Sequence, residues 1–253
     1  MQVVINNQIV NYNISGKGKK ILILHGWGDN IKSYDNLINE LSRNYQVAAV
    51  DLPGFGGSII EEDNYDLSKY AVFIKDFTDK IGYKDLDLLI GHSNGGAIAI
   101  KAIAEDKINP KKLVLVASAG IREPESSRLK TLKLITKSAK LITSPLPKST
   151  KSKLRSKLYK NIGSDYLVNE NLKNTFKNVV SEDIRKYLKD MKQDTLLIYG
   201  DIDEETPFTF GQEFHELLKS STLEILHGDH FLIHSDPKQI ADRIKEFDNE
   251  KIN

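Results

Sequence analysis

The stretch "LLIGHSNGGAIAI", residues 88–100, decides the fold because it joins two apolar runs through a short polar segment rich in glycine. A brief apolar run ending in glycine is typical of a buried strand, and the alanine-rich run that follows predicts a helix. Between them the residues fit G-x-S-x-G, whose glycines let the backbone turn sharply and leave the serine hydroxyl exposed. Ser93 is therefore a candidate nucleophile, and the alternative is a small residue in a structural turn.

The same strand-to-helix pattern recurs along the chain. Short apolar runs predict buried strands at 19–26, 45–54, 84–91, 111–120, 194–200 and 221–228. Apolar residues at helical spacing predict helices at 30–43, 66–82, 94–107, 207–219 and 236–247. This alternation predicts an α/β fold with a mostly parallel central sheet and helices on both faces, and residues 3–14 predict an antiparallel hairpin at one edge.

Residues 121–190 interrupt the alternation. They contain no run typical of a buried strand, and they carry 17 basic residues against 7 acidic ones, whereas acidic residues predominate in the rest of the chain. A segment of opposite charge indicates a separate structural unit. We therefore expect a core domain formed by 1–120 and 191–253, with 121–190 inserted as a helical cap, or lid. Its lysines are expected to form a solvated surface, and attraction of anionic substrates is the alternative.

Composition excludes several classes of function. The chain has 253 residues, 40% of them hydrophobic, and a formal net charge of +1, as expected of an ordinary globular protein. It has no cysteine, which excludes disulfides and thiolate chemistry and fits a cytoplasmic setting. We expect no signal peptide, and no stretch approaches the roughly 18 apolar residues that would span a membrane. The sequence shows no metal-ligand cluster, phosphate loop or nucleic-acid motif. We therefore expect no metal, cofactor or nucleic-acid partner, and the oligomeric state, monomer or homodimer, stays open.

Polar residues gather at the ends of four predicted strands, at 25–29, 91–95, 200–203 and 227–230. In open α/β sheets the active site forms at the carboxyl ends of the strands. A serine nucleophile there needs a histidine to accept its proton and a carboxylate to orient that histidine.

Six histidines compete for the role of base. His230 is favoured because it lies in the loop after the last strand, where a base can reach the serine. His227 belongs to the strand end and His234 lies further toward the final helix. The remaining three are interpreted as structural or surface residues: His25, His92 and His215.

Two aspartates compete for the role of acid, Asp201 and Asp203, with two glutamates following them. The turn pattern G-x-x-D-x-x-x-P matches Gly200, Asp203 and Pro207, which favours Asp203. Asp201 would then be a turn-forming residue, because aspartate hydrogen-bonds readily to its own backbone.

The negative oxygen that forms during acyl transfer needs two backbone amides. The amide of Asn94 is one candidate because it directly follows the serine. The amide of Trp27 is the other, because Gly26 and Gly28 let that backbone approach a substrate. The tryptophan ring can also serve as a packing aromatic.

The motifs taken together resemble those of the α/β-hydrolase fold superfamily, of the kind with a helical cap. The resemblance rests on "HGWGDN" (25–30), "DLPGFGGS" (51–58), "GHSNGG" (91–96), "YGDIDEETP" (199–207) and "GDHF" (228–231). It implies a catalytic triad of Ser93, His230 and Asp203 and a cap that shapes the pocket. Members with aspartate at the position of the serine are dehalogenases and epoxide hydrolases, so serine argues against both. Asn94 departs from the bulkier apolar residue common after the nucleophile.

These patterns predict a serine hydrolase, similar to carboxylesterases, that cleaves small carboxylic esters or related acyl compounds through an acyl-enzyme. Its expected partner is a small-molecule acyl substrate. Two alternatives stay open: a C–C bond hydrolase with the same triad, and a receptor on this fold that binds a ligand with slow or no turnover.

Overall fold

A computed structural model of the protein describes residues 1–60, 62–122 and 172–249. Eight strands form one sheet in the order β1-β2-β4-β3-β5-β6-β7-β8. The strands are β1 Gln2–Ile5, β2 Gln8–Gly16, β3 Lys19–Leu24, β4 Tyr45–Val50, β5 Leu88–His92, β6 Lys112–Val116, β7 Asp194–Gly200 and β8 Ser221–Leu226. All neighbours from β4 through β3 to β8 pair in parallel, which confirms the predicted mostly parallel sheet.

The predicted hairpin forms the antiparallel edge of the sheet. β1 pairs with β2, and β2 pairs with β4, in both cases antiparallel. Asn6 and Asn7 make the turn with φ values of 49° and 64°. Asparagine tolerates this left-handed region better than most residues, and two-residue hairpin turns require it.

Helices fill the connections between the parallel strands. A 3₁₀ helix spans Ile31–Tyr34, and the α-helices are α1 Asp35–Leu41, α2 Leu67–Ile81, α3 Asn94–Ala104, α4 Lys173–Ser181, α5 Arg185–Leu188, α6 Phe208–Leu217, α7 Leu232–Ser235 and α8 Pro237–Asn249. Helix α2 begins and ends at the residues that the sequence predicts. Asp66 accepts a hydrogen bond from the Lys69 amide at the first turn, and Gly82 ends the helix with φ 75°. No helix among the described residues is long and apolar enough to cross a membrane.

The helices cover both faces of the sheet, as predicted. Alternate residues of β3 belong to two separate cores. Leu22 and Leu24 pack in the core that contains α2 and α3, whereas Ile21 and Ile23 pack in the core that contains α1 and α8. Burial on both faces explains why the parallel strands are continuous apolar runs.

By its internal contacts the chain divides into two compact units, 1–121 with 171–253, and 122–170. Residues 172–190, which were expected to belong to the insertion, group with the sheet. Leu172, Val179, Ile184 and Leu188 are buried in the core shared with α2 and α3. Residues 123–171 lie outside the described part of the chain, so the helical cap stays a prediction.

Candidate active site

Ser93 sits on a strained turn between β5 and α3. Its φ is 51° and its ψ is −118°, a conformation that non-glycine residues rarely adopt. Neighbouring strands hold the turn, because the Ser93 amide donates to the Val116 carbonyl at 3.1 Å and the Ser93 carbonyl accepts from Ala119 at 3.0 Å. The surroundings therefore impose a backbone that presents the serine side chain at the end of the strand.

Two glycines of the motif are required by close contact. A Cβ atom on Gly95 would lie 2.2 Å from the Leu24 carbonyl oxygen, and one on Gly91 would lie 2.6 Å from the Cα of Gly96. Both distances are far below van der Waals contact. The G-x-S-x-G spacing thus lets the helix start directly against the strand.

The three residues predicted as nucleophile, base and acid lie in one chain of hydrogen bonds. Ser93 Oγ is 2.9 Å from His230 Nε2, and His230 Nδ1 is 2.9 Å from Asp203 Oδ2. His230 and Asp203 are each only 5% exposed. The loops after β7 and β8 therefore bring distant parts of the sequence to the end of β5, at distances that permit proton transfer.

Asp203 is held as a carboxylate. Its Oδ1 accepts the amides of Glu205 at 2.8 Å and Thr206 at 2.9 Å. Burial raises the pKa of the Asp203 carboxyl, but the hydrogen bonds from His230 and Thr206 outweigh burial and hold that pKa below its usual value. Because an ionised carboxylate can only accept, the hydrogen of His230 lies on Nδ1 and the lone pair of Nε2 faces Ser93.

Thr206 is a member of the site that the sequence motifs did not predict. Its Oγ1 lies 2.8 Å from Asp203 Oδ2, 3.0 Å from His230 Nδ1 and 3.0 Å from the Ala117 carbonyl oxygen. The threonine hydroxyl therefore links the acid to Ala117, the residue that follows β6. The signal was the sequence D-E-E-T, because aspartate commonly accepts the amides two and three residues further along in a turn.

His92 and Tyr34 join three loops around the serine. The His92 ring lies 3.0 Å through Nε2 from the His230 carbonyl oxygen and 2.8 Å through Nδ1 from the Tyr34 hydroxyl. The Gly26 amide donates to that hydroxyl at 3.3 Å. A carbonyl only accepts, so Nε2 is the donor, and Nδ1 accepts from Tyr34. Burial lowers the pKa of His92 to about 3, so the ring is neutral.

A hydrogen-bonded pair of His234 and Asp29 lies beside this network. His234 Nε2 is 3.0 Å from Asp29 Oδ2, and His234 Nδ1 is 3.1 Å from the Ser33 carbonyl oxygen. Burial raises the pKa of Asp29, but hydrogen bonds from His234, Ser33 and Asn30 hold it well below its usual range. The pair ties the loop after β3 to α7, the helix that follows His230.

Asp29, His92 and His234 also form a group whose candidate metal-ligating atoms lie within 4.8 Å of one another. The nitrogens of both rings and the Asp29 carboxylate already bond to protein groups. Hydrogen bonding among protein groups accounts for this cluster, and we assign no metal to it.

The loop after β3 passes directly against the serine. A Cβ atom on Gly26 would lie 3.3 Å from Ser93 Cβ, so any larger residue there would require Ser93 to shift by a few tenths of an ångström. His25 fixes the loop, because its Nε2 accepts the Leu52 amide at 2.9 Å and its Nδ1 lies 2.7 Å from the Gly26 carbonyl oxygen. The Trp27 ring packs edge-on against Phe55 and Phe176.

Two amide donors flank the serine without a protein acceptor. Within the described residues, neither the Trp27 N–H nor the Asn94 N–H hydrogen-bonds to another group. Asn94 directly follows Ser93 and begins α3, whose dipole places positive charge at that end. Both predicted donors are therefore available for an anionic oxygen.

Two of the competing candidates, His227 and Asp201, contact each other at the surface. His227 Nδ1 is 3.1 Å from Asp201 Oδ2, and Asp201 Oδ1 accepts the Gly228 amide at 3.0 Å, so Asp201 is a turn residue. His215 bonds to the Ser221 hydroxyl at 2.8 Å in an exposed position. One further carboxylate approaches the site, with Glu205 Oε2 3.4 Å from His230 Nε2.

A serine on a strained turn beside a buried histidine and a carboxylate, on a mostly parallel sheet, is the arrangement of α/β hydrolases. Comparison with known proteins agrees. A family model described as "alpha/beta hydrolase fold" matches residues 19–141. Pimeloyl-[acyl-carrier protein] methyl ester esterase of Wigglesworthia glossinidia brevipalpis is 31% identical over 218 residues, which cover 78% of this chain and 80% of that protein.

Two further proteins match nearly the full length. AB hydrolase superfamily protein YisY of Bacillus subtilis is 27% identical over 250 residues, covering 92% of this chain and 93% of that protein. The structure of an esterase from Exiguobacterium antarcticum superposes with a TM-score of 0.76 at 22% identity, covering 98% of both chains. The chain belongs to the alpha/beta hydrolase fold family.

Proposed function

We propose that the protein is a serine hydrolase that cleaves small carboxylic esters or related acyl compounds through an acyl-enzyme intermediate. The observation that carries this proposal is the chain of two 2.9 Å hydrogen bonds that joins Ser93 Oγ, His230 and the Asp203 carboxylate. The two unpartnered amides beside the serine support it. The cytoplasmic setting expected from the absence of cysteine belongs to the same proposal.

In the first half of the reaction Ser93 Oγ attacks the carbonyl carbon while His230 Nε2 accepts the hydroxyl proton. The carbonyl π electrons move onto oxygen, where the amides of Trp27 and Asn94 stabilise the negative charge. Each such donor is worth about 3 kcal/mol of transition-state stabilisation. Asp203 stabilises the positive charge that His230 acquires.

The tetrahedral intermediate then collapses. His230 Nε2 gives its proton to the leaving oxygen, the carbon–oxygen bond breaks, and the acyl group stays on Ser93. A water molecule, deprotonated by His230, attacks the acyl-enzyme, and the reverse proton transfer releases the acid and free Ser93. A C–C bond hydrolase would use the same residues with carbon as the leaving atom.

The relatives support an ester substrate. One is described as a methyl ester esterase and one solved structure as an esterase. The Ser-His-Asp arrangement with two unpartnered amides suits any planar carbonyl. Membership of the family therefore limits the type of reaction more than it limits the identity of the substrate.

The experiment is hydrolysis of p-nitrophenyl esters from acetate to octanoate, alongside a vinylogous diketone. Wild type is compared with Ser93→Ala and His230→Gln, and the surface variant His227→Gln is the matched control. We expect turnover of at least one ester, a loss of roughly 10³-fold or more in the first two variants, and no loss in the control. Turnover of the diketone alone would favour the C–C hydrolase. Ester turnover that survives Ser93→Ala would overturn the mechanism.

A further inference from the structure

The side chain of Asn94 contains a hydrogen-bond donor that has no acceptor in the part of the chain that the structure describes. Asn94 is only 6% exposed, and its Nδ2 atom is buried without a partner among the described residues. A buried donor in this state costs about 1–3 kcal/mol, because it has lost water and gained nothing in return. Such groups in native proteins are few, and each calls for an explanation.

The position of Asn94 suggests what the donor is for. Asn94 is the first residue of α3 and follows Ser93 directly, so their Cα atoms are about 3.8 Å apart. Side chains on an α-helix tilt toward its N-terminus. The carboxamide therefore leans toward the serine end of the helix, beside the place where an acyl group would be attached to Ser93.

We propose that Asn94 Nδ2 donates a hydrogen bond to an oxygen on the acyl chain of the substrate, beyond the scissile carbonyl. An ether, hydroxyl or keto oxygen there satisfies the buried donor, whereas a plain alkyl chain leaves it unpaired. The preferred substrates are thus oxygen-substituted acyl esters. This inference rests on the proposed serine hydrolase function and names the substrate class of that site.

The test uses three p-nitrophenyl esters of equal chain length: pentanoate, ethoxyacetate and 3-methoxypropanoate. The last two replace one methylene by oxygen at different positions. Each kcat/KM is divided by the rate of alkaline hydrolysis of the same ester, which removes differences in intrinsic reactivity. We expect wild type to prefer at least one oxygen ester by about tenfold or more, and Asn94→Leu to reduce that preference to near one. Leucine leaves the backbone amide in place and has the same branching at Cγ and the same number of side-chain heavy atoms as asparagine.

Thermal unfolding gives the second measurement. Removing an unpaired buried amide raises Tm, so Asn94→Leu is expected to melt higher than wild type while it loses selectivity. Equal selectivity in the two proteins, or a lower Tm for Asn94→Leu, would overturn the inference and leave the hydrolase mechanism intact. Failure of these three esters, and of the p-nitrophenyl esters from acetate to octanoate, to react with wild type would refute the proposed function and this inference with it.

Discussion

Replacement of Tyr34 by phenylalanine tests whether the three loops around Ser93 are held by one hydrogen-bonded network. Tyr34 is 1% exposed, and its hydroxyl lies between the Gly26 amide at 3.3 Å and His92 Nδ1 at 2.8 Å. Its ring packs edge-on against His234. Phenylalanine keeps the ring in place and removes only the oxygen, so the Gly26 N–H and the His92 nitrogen both become buried without a partner.

The cost follows from these two contacts. Each buried polar group left without a partner lowers the free energy of unfolding by about 1–3 kcal/mol. The hydrogen bond to Gly26 is the longer of the two, so its loss belongs at the lower end of that range. We expect Tyr34→Phe to lose about 3 kcal/mol of unfolding free energy, which lowers Tm by about 10 °C in a protein of this size. Since the same contacts position the Trp27 amide and, through His92, the backbone of His230, kcat is expected to fall roughly 10- to 100-fold with little change in KM.

The assay combines urea unfolding with ester kinetics, and Tyr70→Phe is the matched control. Tyr70 is fully buried, and its hydroxyl donates to the Pro53 carbonyl at 3.0 Å, so it takes no part in the hydrogen bonds among Gly26, His92 and His230. The control is expected to lose stability without losing kcat. A Tyr34→Phe protein that unfolds like wild type, or that loses no more kcat than Tyr70→Phe, would refute the network as a positioning device.

Three further changes probe the turn, the acid and the hydrogen-bonded pair of Asp29 and His234. Gly95→Ala brings a methyl group to 2.2 Å from the Leu24 carbonyl oxygen, so we expect a loss of about 3 kcal/mol or more in chemical unfolding, and a wild-type midpoint would contradict this. Asp203→Asn is expected to lower kcat roughly 10⁴-fold at pH 7, because the amide favours the wrong tautomer of the histidine; a loss below tenfold in ester hydrolysis would argue against Asp203 as the acid. The pKa of Asp29 is lower in the folded protein than in the unfolded chain, so its carboxylate stabilises the fold above about pH 4, and that contribution is lost as pH falls further. Asp29→Asn should therefore cost about 2 kcal/mol in urea unfolding at pH 7, and most of that cost should remain at pH 3, because it is lost only as pH falls through the lowered pKa of the folded protein. A cost that has already disappeared at pH 3 would argue against a lowered pKa of Asp29 in the folded protein.

The parts of the site that the sequence predicted depend on short local patterns. Ser93, Asp203 and His230 each lie in a short turn or loop. Because a turn accepts only certain residue types, the few residues around each position were enough to predict its local geometry. The parallel sheet was predictable for a similar reason, since strands buried on both faces must be apolar throughout.

The remaining parts depend on contacts between distant residues. Tyr34 follows an apolar helical pattern, and its hydroxyl acquires a role only by meeting His92, 58 residues away. The boundary between the two compact units near residue 170 could not be predicted either. Charge indicates which segments are solvated, but it does not show which apolar faces those segments bury. Leu172 and Ile184 lie in a basic segment, yet they are buried in the core of the sheet.

The most direct test of the central claim, that His230 activates Ser93 as a nucleophile, is labelling with a fluorophosphonate followed by peptide mass spectrometry. Attack by Ser93 Oγ on phosphorus expels fluoride, so wild type is expected to gain one phosphonyl group on the peptide containing Ser93 and to lose activity in proportion. Ser93→Ala should gain none, and His230→Gln should label at least about 100-fold more slowly. Wild-type protein that stays unlabelled, or that carries the adduct on another residue, would contradict the assignment of Ser93 as the nucleophile.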